Sequence, residues 1–145
     1  MTTTPHHTPQ APVVQSDRPS TRLLVRTGAL AGAIAAVCTT VVAVTASAAD
    51  VSLEIDAQAI PVAAFAWWTL VGAAVGVVLA RLLRERRRFV VVTTVAVGLS
   101  LIPALAAPDD TATKAVLVGC HLLAAAIIIP TVSRRLPVNI DRRRR

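Results

Sequence analysis

The chain has 145 residues, which is room for one domain. Its apolar fraction of 54% exceeds the roughly 45–50% of soluble domains, which argues against an ordinary soluble fold. The net charge of +7 rests almost entirely on arginines outside the apolar stretches. This distribution predicts anionic lipid, and no nucleic acid, as their partner.

The chain begins with a proline-rich polar segment and a first apolar stretch. Residues 1–22 carry too little apolar surface to fold, and we expect a disordered cytoplasmic tail. Residues 27–49 are uncharged, and a helix of this length, at about 1.5 Å per residue, crosses a hydrocarbon core of about 30 Å. A cleaved signal peptide is the alternative, because residues 46–48 form an Ala-Ser-Ala pattern, although signal-peptide cores are only about 7–15 residues long.

Three further apolar stretches follow, and each is long enough for a membrane helix. They cover residues 60–80, 89–107 and 115–132. A lone strand in lipid would leave its backbone unpaired, so helices are required. Residues 50–59, which include three acidic residues and no basic one, precede these stretches. Apolar and polar side chains alternate along this segment, which predicts an extended outer segment.

The connections between these stretches carry signals of their own. Asp109, Asp110 or Thr111 is expected to cap the fourth helix. Residues 81–88 hold five arginines without Gly or Pro, so we expect the second helix to pass the membrane surface and the chain to reverse near residues 86–89. Glu85 is expected to bridge Arg81 or Arg88.

Charge asymmetry predicts the topology. With both ends and residues 81–88 inside, 14 basic residues are cytoplasmic and only Lys114 is outside. Such a bias sets orientation, so we expect a multi-pass protein of the inner (plasma) membrane with both termini cytoplasmic. The anchors that contact its anionic inner leaflet are Arg81, Arg84, Arg86, Arg87, Arg88, Arg134 and Arg135.

The predicted fold is therefore all-α, an integral membrane bundle of four antiparallel helices within residues 23–135. We expect the helices at about 23–49, 60–84, 89–107 and 111–133, followed by a basic cytoplasmic tail at residues 136–145.

Small residues at four-residue spacing predict close helix packing. Gly28 and Gly32 form one G-x-x-x-G pattern, and Gly72 and Gly76 form another. Such patterns let helix backbones approach each other. They fit packing within the bundle or a seam between copies.

Cys38, Cys120 and His121 form the candidate polar cluster within the membrane. Helical rise places all three at nearly the same depth. If the first and last helices are neighbours, two thiols and an imidazole would suit a soft metal or redox centre. The alternative is that the cysteines are small packing residues and that His121 bonds a hydroxyl on a facing helix.

The chain resembles a family of small bacterial four-helix membrane proteins known only as a domain of unknown function. The resemblance rests on residues 51–61, Phe65, residues 69–76, the arginine bend, residues 110–114 and His121. It covers about residues 23–135. It implies the four-helix architecture, supplies no activity, and marks His121 and the outer segment as positions to test.

These observations predict no catalytic residue, cofactor or resident metal, and we expect a protein that is not an enzyme. The leading hypothesis is an accessory or self-assembling structural protein that acts through helix contacts, with a second copy or another membrane protein as partner. A small transporter or channel, either as a single copy or as an oligomer, is the alternative. A haem, metal or redox protein that uses the cysteines and His121 comes third.

Overall fold

A computed structural model describes residues 20–138, so most of both predicted tails, residues 1–22 and 136–145, lies outside the described residues. The described elements are α1 (Thr21–Ala48), β1 (Glu54–Ile55), β2 (Gln58–Ala59), α2 (Val62–Leu83), α3 (Arg86–Ala106) and α4 (Thr111–Ser133). All four helices are long and apolar enough to cross a membrane. The chain is accordingly a helical, multi-pass membrane protein, which confirms that part of the predicted fold.

Side-chain caps define where two of the helices begin. The Ser20 hydroxyl accepts a hydrogen bond from the Leu23 N–H at 3.3 Å, at the start of α1. The Asp110 carboxylate accepts from both the Thr113 N–H, at 2.8 Å, and the Thr113 hydroxyl, at 3.1 Å. Both hydrogen bonds hold the pKa of Asp110 below its ordinary value, and the bond from the Thr113 N–H has the larger effect. Of the three expected capping residues, Asp110 fills the role.

The arginine-rich connection reverses the chain earlier than predicted. α2 ends at Leu83, and Arg84 takes a left-handed backbone conformation with φ of 51°. Glu85 is extended and α3 begins at Arg86, so the expected reversal at residues 86–89 is wrong. The expected bridge forms between Glu85 and Arg88, at 2.9 Å.

The acidic segment between α1 and α2 forms a short antiparallel hairpin rather than a plain extended stretch. Glu54 pairs with Ala59, and Ile55 pairs with Gln58. The two turn residues, Asp56 and Ala57, both have positive φ, at 52° and 58°. Positive φ at both central positions is the requirement of the tight turn that matches strand twist.

The four helices do not contribute equally to the packing. α1 packs along both α2 and α4, whereas α3 is held mainly by α4 and makes few contacts with α2. Two apolar clusters result, one around the fully buried Phe89 and Val132 and one around Phe65, Leu53 and Cys120. The limited α2–α3 contact leaves a gap on that side of the bundle.

Contacts between connections show which segments meet at each end. At the arginine-rich end, the Arg81 guanidinium lies 3.5 Å from the Thr21 hydroxyl, and the Arg86 N–H donates to the Pro137 carbonyl at 3.2 Å. At the hairpin end, the hydroxyls of Ser52 and Thr113 lie 3.5 Å apart. The bundle thus has a basic end and an end that holds the hairpin.

Candidate functional site

The first glycine pair lies in the α1–α2 interface. A Cβ atom added to Gly28 would overlap the Val77 side chain, and one added to Gly32 would lie 2.6 Å from Ala73 Cβ. Carbon atoms in contact are about 3.5–4.0 Å apart, so only glycine fits at these positions. Gly28 and Gly32 are therefore used for packing within the chain.

The second glycine pair divides between two environments. A Cβ at Gly76 would make an ordinary contact with Ile128 on α4, at 3.7 Å. At Gly72 it would meet no heavy atom within 4 Å in the described part of the chain, because this glycine lines an open cleft. The same G-x-x-x-G spacing is thus found in a close helix contact at Gly28 and Gly32 and beside an open cleft at Gly72.

The cleft lies between α2, α3 and α4 and has a volume of about 560 Å³. Its walls are residues 64–79 of α2, residues 89–100 of α3 and residues 117–129 of α4, each contributing the face turned toward the cleft. Ile55 and Ile60 border its hairpin end, and the exposed Trp68 stands at its margin. The surface is overwhelmingly apolar, as expected where α2 and α3 separate within a membrane-spanning bundle.

His121 is a half-buried residue of this cleft with a defined ring orientation. Its Nδ1 lies 2.8 Å from the Leu117 carbonyl oxygen, one turn earlier in α4. A carbonyl oxygen only accepts hydrogen bonds, so this contact selects the tautomer with the proton on Nδ1, in which the Nε2 lone pair is an acceptor. Within residues 20–138, Nε2 makes no hydrogen bond to the protein. It is therefore an acceptor without a protein donor.

Three hydroxyl groups also line the cleft, and each donates its proton to its own helix. Thr69 donates to the Phe65 carbonyl, Thr93 to the Phe89 carbonyl and Ser100 to the Val97 carbonyl, each at 2.7 Å. Thr69 also lies 3.1 Å from the Thr39 hydroxyl of α1. Each of these hydroxyls thus donates its proton within its own helix. None of them bonds His121, although a hydroxyl on a facing helix was its predicted partner.

The candidate cysteines lie on different faces of the bundle. Cys120 is buried, and its thiol lies 3.9 Å from the Thr39 carbonyl oxygen of α1. Cys38 belongs to a shallow surface patch made only by α1, together with Ala33, Ile34 and Val37. The cleft therefore holds Cys120 and His121 but not Cys38. Among residues 20–138, no three His, Cys, Asp or Glu side chains are grouped to hold a metal ion.

The predicted lipid anchors are all exposed side chains at or beyond helix ends. Arg84 bonds the Arg81 carbonyl through its Nε, at 3.4 Å. The group consists of Arg81, Arg84, Arg86, Arg87, Arg88, Arg134 and Arg135. Their exposure leaves the guanidinium groups accessible to phosphate.

Sequence reasoning missed the cleft and two fully buried residues at the two ends of the bundle. Phe89 is fully buried at the basic end, and Thr113 is fully buried beside the hairpin. Phe89 directly follows the arginine run, and Thr113 lies three residues after Asp110, so position in the chain was the available signal. The cleft left no comparable signal, because it depends on how far α3 stands from α2.

The comparisons with known proteins identify a family and no activity. Residues 19–138 match the family of unknown function DUF6069. No curated protein and no solved structure matches the chain. The family match covers all four helices, the hairpin and the arginine-rich connection, in agreement with the resemblance drawn from the sequence. The chain belongs to the family of unknown function DUF6069.

Proposed function

We propose that this protein is a non-enzymatic membrane protein that assembles with copies of itself through helix contacts. The observation that carries the proposal is a stripe of exposed branched side chains along the outer face of α1. We call it the outer α1 seam, and its members are Leu23, Leu30, Ile34, Val37, Val41 and Val44.

The spacing of the outer α1 seam suits helix pairing. From Leu30 onward the members alternate steps of four and three residues, which is the heptad spacing of two helices that interlock side chains. The shallow patch of Ala33, Ile34, Val37 and Cys38 overlaps this seam at Ile34 and Val37. Such a depression can receive an apolar side chain of a facing helix.

A second copy is the partner that this seam fits best. The opposite face of α1 is lined by small residues that α2 and α4 already cover, among them Gly28, Gly32 and Ala35. Its outer face carries side chains large enough to fill the holes of an identical helix. In lipid, association depends on such packing, since apolar burial alone drives little.

Native Cys38 provides the test of this assembly. In a symmetric parallel pair, Cys38 of each copy lies beside the seam, so mild oxidation in membranes should produce a disulfide-linked dimer. Replacing the thiol with Cys38→Ala should remove the dimer, and adding Val37→Cys to that variant should restore it.

A matched control lies on another lipid-facing helix. Val95 of α3 is exposed to a similar degree as the seam, and Cys38→Ala with Val95→Cys should give no dimer. Equal cross-linking through Val95 and Val37 would show random collision and refute the proposal. If neither Cys38 nor Val37→Cys forms a cross-link, the protein does not assemble with itself through this seam. The accessory role, with a different membrane protein as partner, then remains.

The proposed topology has four antiparallel crossings and both ends in the cytoplasm. In support, the segments that meet at the basic end include Arg81 and Arg86, whereas the hairpin end includes Glu54 and Asp110. Lys and Arg in short connections are retained on the cytoplasmic side of the bacterial inner membrane. Fusion of a reporter to each end, active only in one compartment, tests the orientation.

A small transporter or channel is the second candidate. It is favoured by His121, Thr93 and Ser100, which line one cleft near the middle of the bundle. Flux of small polar solutes through liposomes that contain the purified protein tests it. A flux that His121→Leu abolishes would favour this candidate over the structural role.

A further inference from the structure

The cleft between α2, α3 and α4 has the size of a small-molecule site. Its volume of about 560 Å³ falls within the range of roughly 300–1,000 Å³ found for ligand pockets. Along α2 it extends over residues 64–79, which is about 22 Å at 1.5 Å per residue. The space is thus long and narrow.

A partner helix is a poor match for this space. A helix satisfies its backbone N–H groups internally, so its backbone would offer no hydrogen-bond donor to His121 in the cleft. An extended apolar chain is much thinner and fits along it. The geometry therefore favours a single elongated molecule.

The polar groups of the cleft are acceptors. His121 Nδ1 and the hydroxyls of Thr69, Thr93 and Ser100 all lie at hydrogen-bonding distance from backbone carbonyls of their own helices. The groups that can still accept a hydrogen bond are Nε2 of His121 and the three hydroxyl oxygens. An acceptor that faces apolar surroundings without a partner is unfavourable, and a ligand that donates a hydrogen bond to it adds a stabilising contact.

The charge of the occupant follows from the same lining. Of the described residues that line the cleft, none is Asp, Glu, Lys or Arg. An ionised ligand would lose its hydration without gaining a counterion. The donor is therefore neutral, such as a hydroxyl group.

The depth of His121 separates this occupant from an ordinary phospholipid. His121 lies ten residues from Thr111 and twelve from Ser133, or about 15 and 18 Å from the two ends of α4. Phospholipid acyl chains present no hydrogen-bond donor at this depth. A donor must therefore be carried on a molecule that enters the cleft itself.

We propose that the cleft binds a neutral, elongated lipophilic alcohol whose hydroxyl group donates a hydrogen bond to His121 Nε2. Its apolar body lies against α2 and α4, between the hairpin end and Phe89. The site is independent of the outer α1 seam, since no residue of that seam lines the cleft.

The test compares two probes in liposomes that contain the purified full chain. One is a photoreactive hexadecanol, and the other is its methyl ether, which keeps the chain but lacks the donor. One neutral hydrogen bond contributes about 0.5–1.5 kcal/mol, so the alcohol should label the α2 and α4 walls about 2- to 12-fold more than the ether does. Equal labelling by the two probes would overturn the proposal and indicate nonspecific filling by acyl chains.

Variants of the cleft sharpen the same experiment. Gly72→Phe should fill the cleft and abolish the preference for the alcohol. Gly98→Phe is its matched control, because Gly98 is also unobstructed among the described residues but does not line the cleft. Loss of labelling in both variants, or in neither, would overturn the assignment of the site.

The role of His121 is tested by replacement of its acceptor. His121→Leu should reduce the alcohol preference to that of the ether, and His121→Gln, which offers a side-chain oxygen, should restore part of it. Unchanged preference in His121→Leu would refute the hydrogen bond. If His121→Leu does not fold, the comparison of the two probes on the unmodified protein still decides the proposal. Cross-linking through Cys38 should be unaffected, so failure here is distinguishable from failure of the assembly.

Discussion

Replacing Gly32 with alanine tests the close approach of α1 and α2. The added Cβ would lie 2.6 Å from Ala73 Cβ, and no side-chain torsion can move that atom away. To reach a contact of about 3.5–4.0 Å, the two helices must separate by roughly 1 Å. Overpacking of this kind costs about 1–3 kcal/mol, whereas the helix preference of alanine over glycine returns about 1 kcal/mol.

Gly72→Ala is the matched control, since the same substitution there meets open space within the described residues. It gains the helix preference without the clash, so the two variants should differ in unfolding free energy by about 1–3 kcal/mol. Unfolding by sodium dodecyl sulfate in mixed micelles, followed by the fluorescence of Trp67 and Trp68, measures this difference. Adding Ala73→Gly to Gly32→Ala should recover most of the loss. Equal stability of Gly32→Ala and Gly72→Ala would refute the interface.

Three further predictions concern the ends of the bundle. The Thr113 N–H lowers the pKa of Asp110, so the stability from this cap is complete above the ordinary aspartate pKa of about 3.9 and is lost as pH falls through the lowered value. Asp110→Asn should remove this pH dependence from thermal unfolding, and an unchanged profile would contradict the cap. Phe89→Ala empties a fully buried position and should lower the free energy of unfolding by about 3 kcal/mol, at the low end for such changes. The low end is expected because separated helices in a membrane are surrounded by lipid rather than by water. Unfolding in detergent measures this cost, and a change near zero would show that Phe89 does not organise the basic end. Glutamine at Arg86, Arg87 and Arg88 together should yield a mixed orientation in reporter fusions, whereas a uniform orientation would show that other arginines suffice.

The helices were predictable because lipid leaves the backbone few alternatives. An uncharged stretch of about 20 residues must satisfy its own hydrogen bonds, so its length alone indicates a crossing. The cap at Asp110 was predictable for a related reason, since a carboxylate before an apolar stretch can accept the free N–H groups of the first turn. Both features depend on residues that are neighbours in the chain.

The two turns were harder to predict because their backbone conformations lack the usual residues. The reversal after α2 uses Arg84, and the hairpin uses Asp56 and Ala57, all with positive φ. Glycine or asparagine normally marks such positions, because their steric cost is lowest. Tertiary contacts compensate in part: the Arg86 N–H reaches the Pro137 carbonyl, at 3.2 Å.

The candidate polar cluster shows why equal depth in the membrane does not bring residues together. Helical rise placed Cys38 level with Cys120, but successive helix residues are rotated by about 100°. Thr39, not Cys38, faces Cys120, with the thiol 3.9 Å from the Thr39 carbonyl oxygen. Cys38, one residue earlier, is rotated away from Cys120 and lies in the α1 patch. His121 lies in the cleft. The predicted cluster thus separates into two surfaces, and each has a distinct proposed partner: a second copy beside Cys38 and a hydrogen-bond donor beside His121.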